Sequence, residues 1–221
     1  MVSGQLMTIR AVLLPLWIVT TILAQSLNPK PQEVMDRAVA DFENGRIAES
    51  VTGFDRVAKL IPNYAPQLWQ RGIALYYAGK YKDCRAQFES HRTVNPNDVE
   101  NAAWHFLCVA RAESPEKARR AILPVGPDSR SPMREIYAMF RGELVPEQVM
   151  RSAGNDPGAQ FYALLYTGLF YEAWKDSDRA IQQITAAAGD RFSSMGYMHT
   201  VARVHRDLLS RDAGTGKTQK Q

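Results

Sequence analysis

A repeat of 34 residues is the feature of this sequence that most restricts its fold. Glycine, phenylalanine and proline each recur 34 positions apart in the first half of the chain. The pairs are Gly45 and Gly79, Phe54 and Phe88, and Pro62 and Pro96. The two copies align without a gap, so they should form the same local structure. One unit of this length cannot bury its own apolar face, and the units must therefore stack along the chain.

The recurring residues have clear physical roles in a unit of two helices. The small residues Ala38 and Gly72 let the two helices of a unit approach closely. Gly45 and Gly79 can adopt the left-handed conformation that ends a first helix. The prolines stop each second helix and turn the chain, while the phenylalanines fill the gap between neighbouring units. We therefore predict an all-α chain built from helix-turn-helix units.

The repeat continues in a weaker form as far as residue 209. A further first helix is predicted over 99–113, and the helix after it ends early at a loop rich in proline and arginine. A shortened helical pair and a fourth unit follow, and an amphipathic helix over 192–209 should cover the end of the array. The sequence thus predicts about four units, the third of them irregular, and a C-terminal capping helix. The shortened pair is expected over 133–141 and 146–151, and the fourth unit begins near Phe161.

Over residues 31–209 these markers resemble those of the tetratricopeptide repeat (TPR) family. The resemblance implies a right-handed superhelical solenoid whose concave groove binds protein or peptide partners. More narrowly, LWQRGIALYY over 68–77 and NPND over 95–98 are similar to exported bacterial TPR proteins related to the periplasmic lipoprotein NlpI. Those proteins act as adaptors for envelope proteases and peptidoglycan hydrolases. Their lipid-attachment cysteine has no counterpart in this sequence, so membrane tethering does not carry over.

The first 24 residues have the pattern of a secretory signal peptide. Arg10 precedes an apolar run of 14 residues that contains Pro15 and ends at Ala24. This run is shorter than the ~20 residues of a membrane-spanning helix. We expect a signal peptide over 1–24, a linker over 25–30, export to the periplasm or the cell exterior, and no stable membrane insertion after cleavage. An uncleaved anchor and a cytosolic protein are the alternatives.

The first helix of each unit lines the groove in the TPR family. The repeat register carries this role to residues of three units, and large aromatic side chains with an arginine nearby suit peptide binding. The predicted partner-binding residues are Met35, Val39, Phe42, Trp69, Ile73, Tyr76, Tyr77, Leu107 and Arg111. The alternative is that these side chains are buried against the segment next to the signal peptide, or against a second copy of the chain in a homo-oligomer.

Cys84 and Cys108 are the only cysteines, and they are predicted on touching helices of neighbouring units. In an oxidising compartment they can form a disulfide, and the alternative is two buried thiols. No arrangement of residues predicts a catalytic, cofactor-binding or metal site. The formal net charge of +4 does not indicate nucleic-acid binding. Five arginines gather around the central loop and offer a second surface for an acidic partner: Arg119, Arg120, Arg130, Arg134 and Arg141.

The sequence therefore predicts an exported, non-enzymatic TPR scaffold or adaptor that binds a protein or peptide partner in its groove. One alternative is an envelope enzyme, or enzyme subunit, that uses the irregular central loop. Another is a structural protein that self-associates. The polar and basic residues 210–221 are predicted to form a disordered tail, and His91 is expected to make a hydrogen bond in the turn between two units.

Overall fold

The computed structural model describes residues 30–218, with side chains up to residue 211. Over these residues the chain is α-helical with two short 3-10 helices and no strand, which confirms the all-α fold class. The predicted signal peptide, and the linker up to residue 29, lie outside the described residues. The α-helices are α1 (Pro31–Glu43), α2 (Ile47–Leu60), α3 (Trp69–Tyr77), α4 (Tyr81–His91), α5 (Val99–Ala112), α6 (Pro115–Ala121), α7 (Met133–Arg141), α8 (Pro146–Ser152), α9 (Pro157–Ala173), α10 (Ser177–Ala187) and α11 (Gly196–Thr218). The 3-10 helices cover Pro62–Gln67 and Asp190–Met195.

Helices that follow one another in the chain pack against each other in pairs. Helix α1 packs against α2, α3 against α4, and α9 against α10, so each pair combines the two helices of one predicted unit. Contacts of α2 with α3, and of α4 with α5, join one pair to the next. The shortened pair predicted after the central loop is present as α7 and α8.

The first two units end their first helices at the predicted glycines. Gly45 and Gly79 have φ angles of +71° and +72°, which lie in the left-handed region. After α3, the Gly79 N–H donates to the Tyr76 carbonyl at 3.0 Å and the Lys80 N–H donates to the Leu75 carbonyl at 2.9 Å. These two bonds satisfy carbonyl groups that the end of a helix otherwise leaves unpaired.

Small residues allow close helix packing within the units, as predicted. A Cβ atom built on Gly72 would lie 2.7 Å from the ring of Phe88, the phenylalanine marker of the same unit. A Cβ atom on Gly53 would lie 2.7 Å from the Cβ atom of Ala38. Both distances are shorter than van der Waals contact, so a larger side chain at either glycine would force the paired helices apart.

A disulfide joins the second unit to the helix that follows it. It links Cys84 of α4 to Cys108 of α5, whose Cα atoms are 5.9 Å apart. This separation is the usual one for bridged cysteines. Both residues are fully buried, so the cross-link lies inside the seam between the two helices.

The irregular central loop runs between α6 and α7, and Arg130 fixes it to the start of α5. Its guanidinium contacts the carboxylates of Asp98 at 2.6 Å, Glu100 at 2.6 Å and Asp128 at 2.7 Å. Asp128 also accepts a hydrogen bond from the Val99 backbone N–H at 3.2 Å. Because the contacts with Asp98, Val99 and Glu100 join residues about 30 positions apart, the loop has a defined position although it has no helix.

The final helix returns to the beginning of the described chain. Helix α11 packs against α10 and also against α1. It continues to Thr218, beyond residue 209 where the repeat array was predicted to end and across part of the predicted tail. No helix among the described residues is long and apolar enough to cross a membrane.

Candidate functional site

The predicted partner-binding residues lie on α1, α3 and α5, the first helices of three successive units. Ile73 and Leu107 are fully buried in the core, and Met35 and Val39 are half-buried beside it. The others, Phe42, Trp69, Tyr76, Tyr77 and Arg111, are brought together around the final helix, as the following contacts show.

Helix α11 covers this face of the molecule. The ring of Tyr197 stacks on Phe42 with centroids 5.4 Å apart and meets Trp69 edge-on at 5.2 Å. Further along the helix, His205 lies 5.6 Å from the ring of Tyr77. The face predicted to hold a partner is thus filled in this structure by the chain's own C-terminal helix.

A cluster of polar side chains surrounds His205 and holds this part of α11 in place. Tyr77 Oη lies 2.9 Å from His205 Nδ1, and His205 Nε2 lies 3.4 Å from Glu172 Oε2, without the geometry of a hydrogen bond. Glu172 also accepts bonds from Tyr76 Oη at 3.4 Å and from Arg111 Nη1 at 3.3 Å. The cluster therefore ties α3, α5 and α9 to the final helix.

Burial favours the neutral form of the histidine in this cluster. It lowers the pKa of His205, although the nearby carboxylate of Glu172 opposes the shift. Burial is also the main reason that the pKa values of Tyr76 and Tyr77 are raised. We therefore assign the cluster a structural role, which is to hold α11 against α3, α5 and α9.

Beside the contacts that α11 makes with α1 and α3, a cavity of about 360 Å³ remains open on the same face. Its walls come from several elements of the fold and combine aromatic side chains with polar and charged ones. Phe88 and Trp104 are nearly parallel with their rings 6.4 Å apart, and the ring of Tyr162 is covered by the Arg130 guanidinium at 6.0 Å. Trp69 and Met195 complete the wall on the side of α11. A volume of this size admits one large side chain together with part of its backbone.

Three residues that line the cavity each carry a buried polar atom without a hydrogen-bond partner. Asn101 is 4% exposed and Trp104 is 1% exposed. The unpaired atoms are Asn101 Oδ1, Trp104 Nε1 and Tyr197 Oη. Leaving such an atom unpaired costs about 1–3 kcal/mol, and each case in a native protein therefore needs an explanation.

Carboxylates dominate the charge at the mouth of the cavity. Asp98 and Glu100 line it, with Arg130 as their shared cation. Burial, followed by the charge of Asp98, raises the pKa of Glu100, although hydrogen bonds from Tyr166 and Arg130 oppose the shift. Burial also raises the pKa of Tyr162 to about 12. The mouth is thus better suited to a neutral or cationic ligand than to an anion.

Sequence reasoning missed the side chains that complete this site. Trp104 and Asn101 belong to α5, and neither is among the predicted partner-binding residues. Tyr197 and His205 were assigned to a capping helix and Glu172 was not singled out, because their contacts with the first units depend on the return of α11. Asn101 and Trp104 are three residues apart and so share one face of the helix, which is a signal that could have found the pair.

Two smaller predictions have clear outcomes. His91 bonds through Nδ1 to the Pro66 carbonyl at 2.8 Å, which confirms its predicted role in the turn between units.

The five arginines do not form one basic surface, because most of them pair locally. Arg130 meets the three carboxylates above, Arg134 pairs with Glu135, Arg141 pairs with Glu143, and Arg119 lies over the ring of Trp174.

The comparisons with known proteins add no assignment to this site. No family model matches the chain, and no curated protein matches it. Among the described residues, no group of three or more His, Cys, Asp or Glu side chains could hold a metal ion.

Proposed function

We propose that this protein is an exported scaffold of TPR-type helical repeats, and that it binds a peptide segment of a partner protein in the cavity beside α11. The role is one of binding, without a catalytic step. The partner contact lies between α3, α5 and the start of α11, a smaller area than the groove implied by the family resemblance.

Helix pairing supports the repeat assignment. The 34-residue markers fall at equivalent places in the first two pairs, where Gly45 and Gly79 share the same backbone conformation. Phe54 and Phe88, the second recurring pair, are both fully or almost fully buried. Such periodic use of the same residues is what stacked helical repeats require.

The disulfide supports export. Disulfides persist in oxidising compartments and are rare where thiols are kept reduced. The Cys84–Cys108 bridge lies at the centre of a seam between two helices, so it belongs to the folded core. Together with the signal-peptide pattern of residues 1–24, it favours the periplasm or the cell exterior.

The observation that carries the binding role is the cavity itself. It remains open although α11 fills the rest of the face, and its half-buried walls include Trp69 and Tyr162. Aromatic residues of this kind dominate the energy of protein interfaces. A cavity whose walls combine half-buried aromatic residues with polar groups has the character of a ligand site.

Peptide display tests this proposal. Random peptides are selected on the full chain, and the affinity of each selected peptide is then measured for three variants. Trp69→Ala and Tyr162→Ala should each weaken binding by tenfold or more. Tyr64→Ala is the matched control, since Tyr64 is 43% exposed and lies outside the cavity, and it should bind like the original protein. If no peptide binds, or if all three variants bind equally, the proposal is wrong.

A further inference from the structure

Two partly exposed carboxylates of the cavity indicate which charge its ligand carries. Asp98 and Glu100 line the cavity, and 21% and 14% of their side chains are exposed. Both contact Arg130, which also contacts the buried Asp128. Three carboxylates thus share one guanidinium, which leaves an excess of negative charge. Burial and the charge of Asp98 raise the pKa of Glu100, so an added cation would stabilise its ionised form.

The same carboxylates have hydrogen-bonding capacity that the protein does not use. A carboxylate can accept about four hydrogen bonds. Among the described residues, Glu100 accepts bonds from Arg130 and from the Tyr166 hydroxyl, each at 2.6 Å. Asp98 accepts bonds from Arg130 at 2.6 Å and from the Asn95 amide at 3.0 Å, and it caps α5 by accepting one from the Glu100 backbone N–H at 3.0 Å. Capacity therefore remains for a cationic donor beside Arg130.

Aromatic rings in the wall suit the same kind of group. Trp69 and Tyr162 are half-buried residues of the cavity wall, and the faces of such rings attract cations. The ring of Tyr162 already receives the Arg130 guanidinium at 6.0 Å. A long basic side chain can place its methylene groups against these rings and keep its charged end at the carboxylates.

The other polar groups of the wall do not change this balance. Asn101 Oδ1, Trp104 Nε1 and Tyr197 Oη are unpaired, but each of these atoms is buried with almost no accessible surface. His91 already makes its hydrogen bond in the turn between two units. An anionic ligand at Arg130 would lie close to the three carboxylates that surround this guanidinium, and they would repel it.

We propose that the cavity recognises a basic side chain, lysine or arginine, within the peptide segment of the partner. Its cationic group lies at Asp98 and Glu100, and its methylene groups pack against Trp69. This inference rests on the proposed function, because it names the residue type by which the same cavity selects a peptide.

The probe for this proposal is the peptide acetyl-Leu-Lys-Leu-amide, titrated into the full chain and followed by calorimetry. Three analogues carry norleucine, Nε-acetyl-lysine or glutamate in place of the lysine. The lysine peptide should bind about tenfold more tightly than each analogue, the usual effect of one hydrogen bond between charged groups. The full chain has a formal net charge of +4, so its overall charge does not attract a basic peptide, and the preference reports local recognition.

Variants locate this recognition in the cavity. Asp98→Asn and Glu100→Gln should each weaken binding of the lysine peptide about tenfold and leave the norleucine peptide unchanged. Asparagine caps a helix about as well as aspartate, and circular dichroism checks that both variants are folded. Asp176→Asn is the matched control. Asp176 caps α10 by accepting the Arg179 backbone N–H at 3.2 Å and pairs with the Arg179 guanidinium, but it lies outside the cavity, so the affinity should not change.

Several results would overturn the inference. They are no binding of the lysine peptide, equal affinity of the lysine and norleucine peptides, tighter binding of the glutamate peptide, and equal losses in Asp98→Asn and Asp176→Asn. Tighter binding of the diamine putrescine would show that a free amine, and not a peptide, is the ligand. Peptides selected by display that depend on Trp69, but keep their affinity when norleucine replaces each basic residue, would refute this inference while the proposed function stands.

Discussion

Reduction of the disulfide between Cys84 and Cys108 should lower the free energy of unfolding by about 3.5 kcal/mol. The two residues are 24 positions apart in the sequence. In the chain-entropy model, a link that closes a loop of this length removes about 12 cal/mol/K from the unfolded chain, or about 3.5 kcal/mol at 25 °C. For a chain of this size, the melting temperature should then fall by about 7–14 °C.

The assay is urea denaturation of the same protein with and without a reducing agent, followed by circular dichroism. The midpoint should move to lower urea on reduction. The slope of the free energy against urea should rise, because the reduced chain exposes more surface when it unfolds. Titration of thiols in the denatured, unreduced protein should find none, since the structure leaves no cysteine free among the residues that it describes.

A double variant, Cys84→Ala with Cys108→Ala, provides the control. It lacks the cross-link, so its stability should not respond to the reducing agent. Two reactive thiols in the unreduced protein would show that the bridge does not form. A loss below about 1 kcal/mol after complete reduction would refute the entropic reasoning, because the link would then restrict the unfolded chain very little.

Three further changes test the fold and the contacts that hold α11 in place. Gly72→Ala should destabilise the protein by about 1–3 kcal/mol, measured by urea denaturation, because the new Cβ atom would lie 2.7 Å from the ring of Phe88. The stability should fall as the pH drops below about 6.5, because unfolded His205 takes up its proton there while burial lowers the pKa of the folded residue. His205→Asn should reduce this dependence in melting temperatures between pH 7 and 5, and an unchanged dependence would place its origin elsewhere. Arg130→Gln should cost about 1–3 kcal/mol at neutral pH, because it leaves the buried carboxylate of Glu100 without its cation, and the difference from the original protein should shrink in acid, where that carboxylate is protonated.

Local structure could be predicted well from the sequence because its causes are local. Gly45 and Gly79 end their helices for a reason that depends only on backbone conformation. Gly72 and Phe88 belong to one unit, so their close contact follows from the pairing of two adjacent helices. The same holds for the shortened pair, where prolines and the spacing of apolar residues set the ends of α7 and α8.

The position of the final helix could not be predicted in this way. Its apolar pattern indicates that one side of α11 is buried, but a pattern of this kind does not identify the surface that receives it. Tyr197 meets Phe42, which is more than 150 positions earlier in the sequence. That contact depends on how each helix pair is oriented relative to the pair before it. Irregular segments, such as the central loop between α6 and α7, affect that orientation and leave no periodic signal.

The final helix divides the face formed by α1, α3 and α5 into a filled region and an open one. Around His205, the Tyr77 hydroxyl and the Arg111 guanidinium already have partners within the protein. A ligand entering there would have to break those bonds, with little net gain. Around Trp69 and Tyr162, about 360 Å³ of volume remains open beside half-buried aromatic rings. A ligand entering there buries apolar surface and leaves the bonds around His205 intact. Tyr77→Phe should therefore lower stability and leave peptide affinity unchanged, whereas Trp69→Ala should lower peptide affinity.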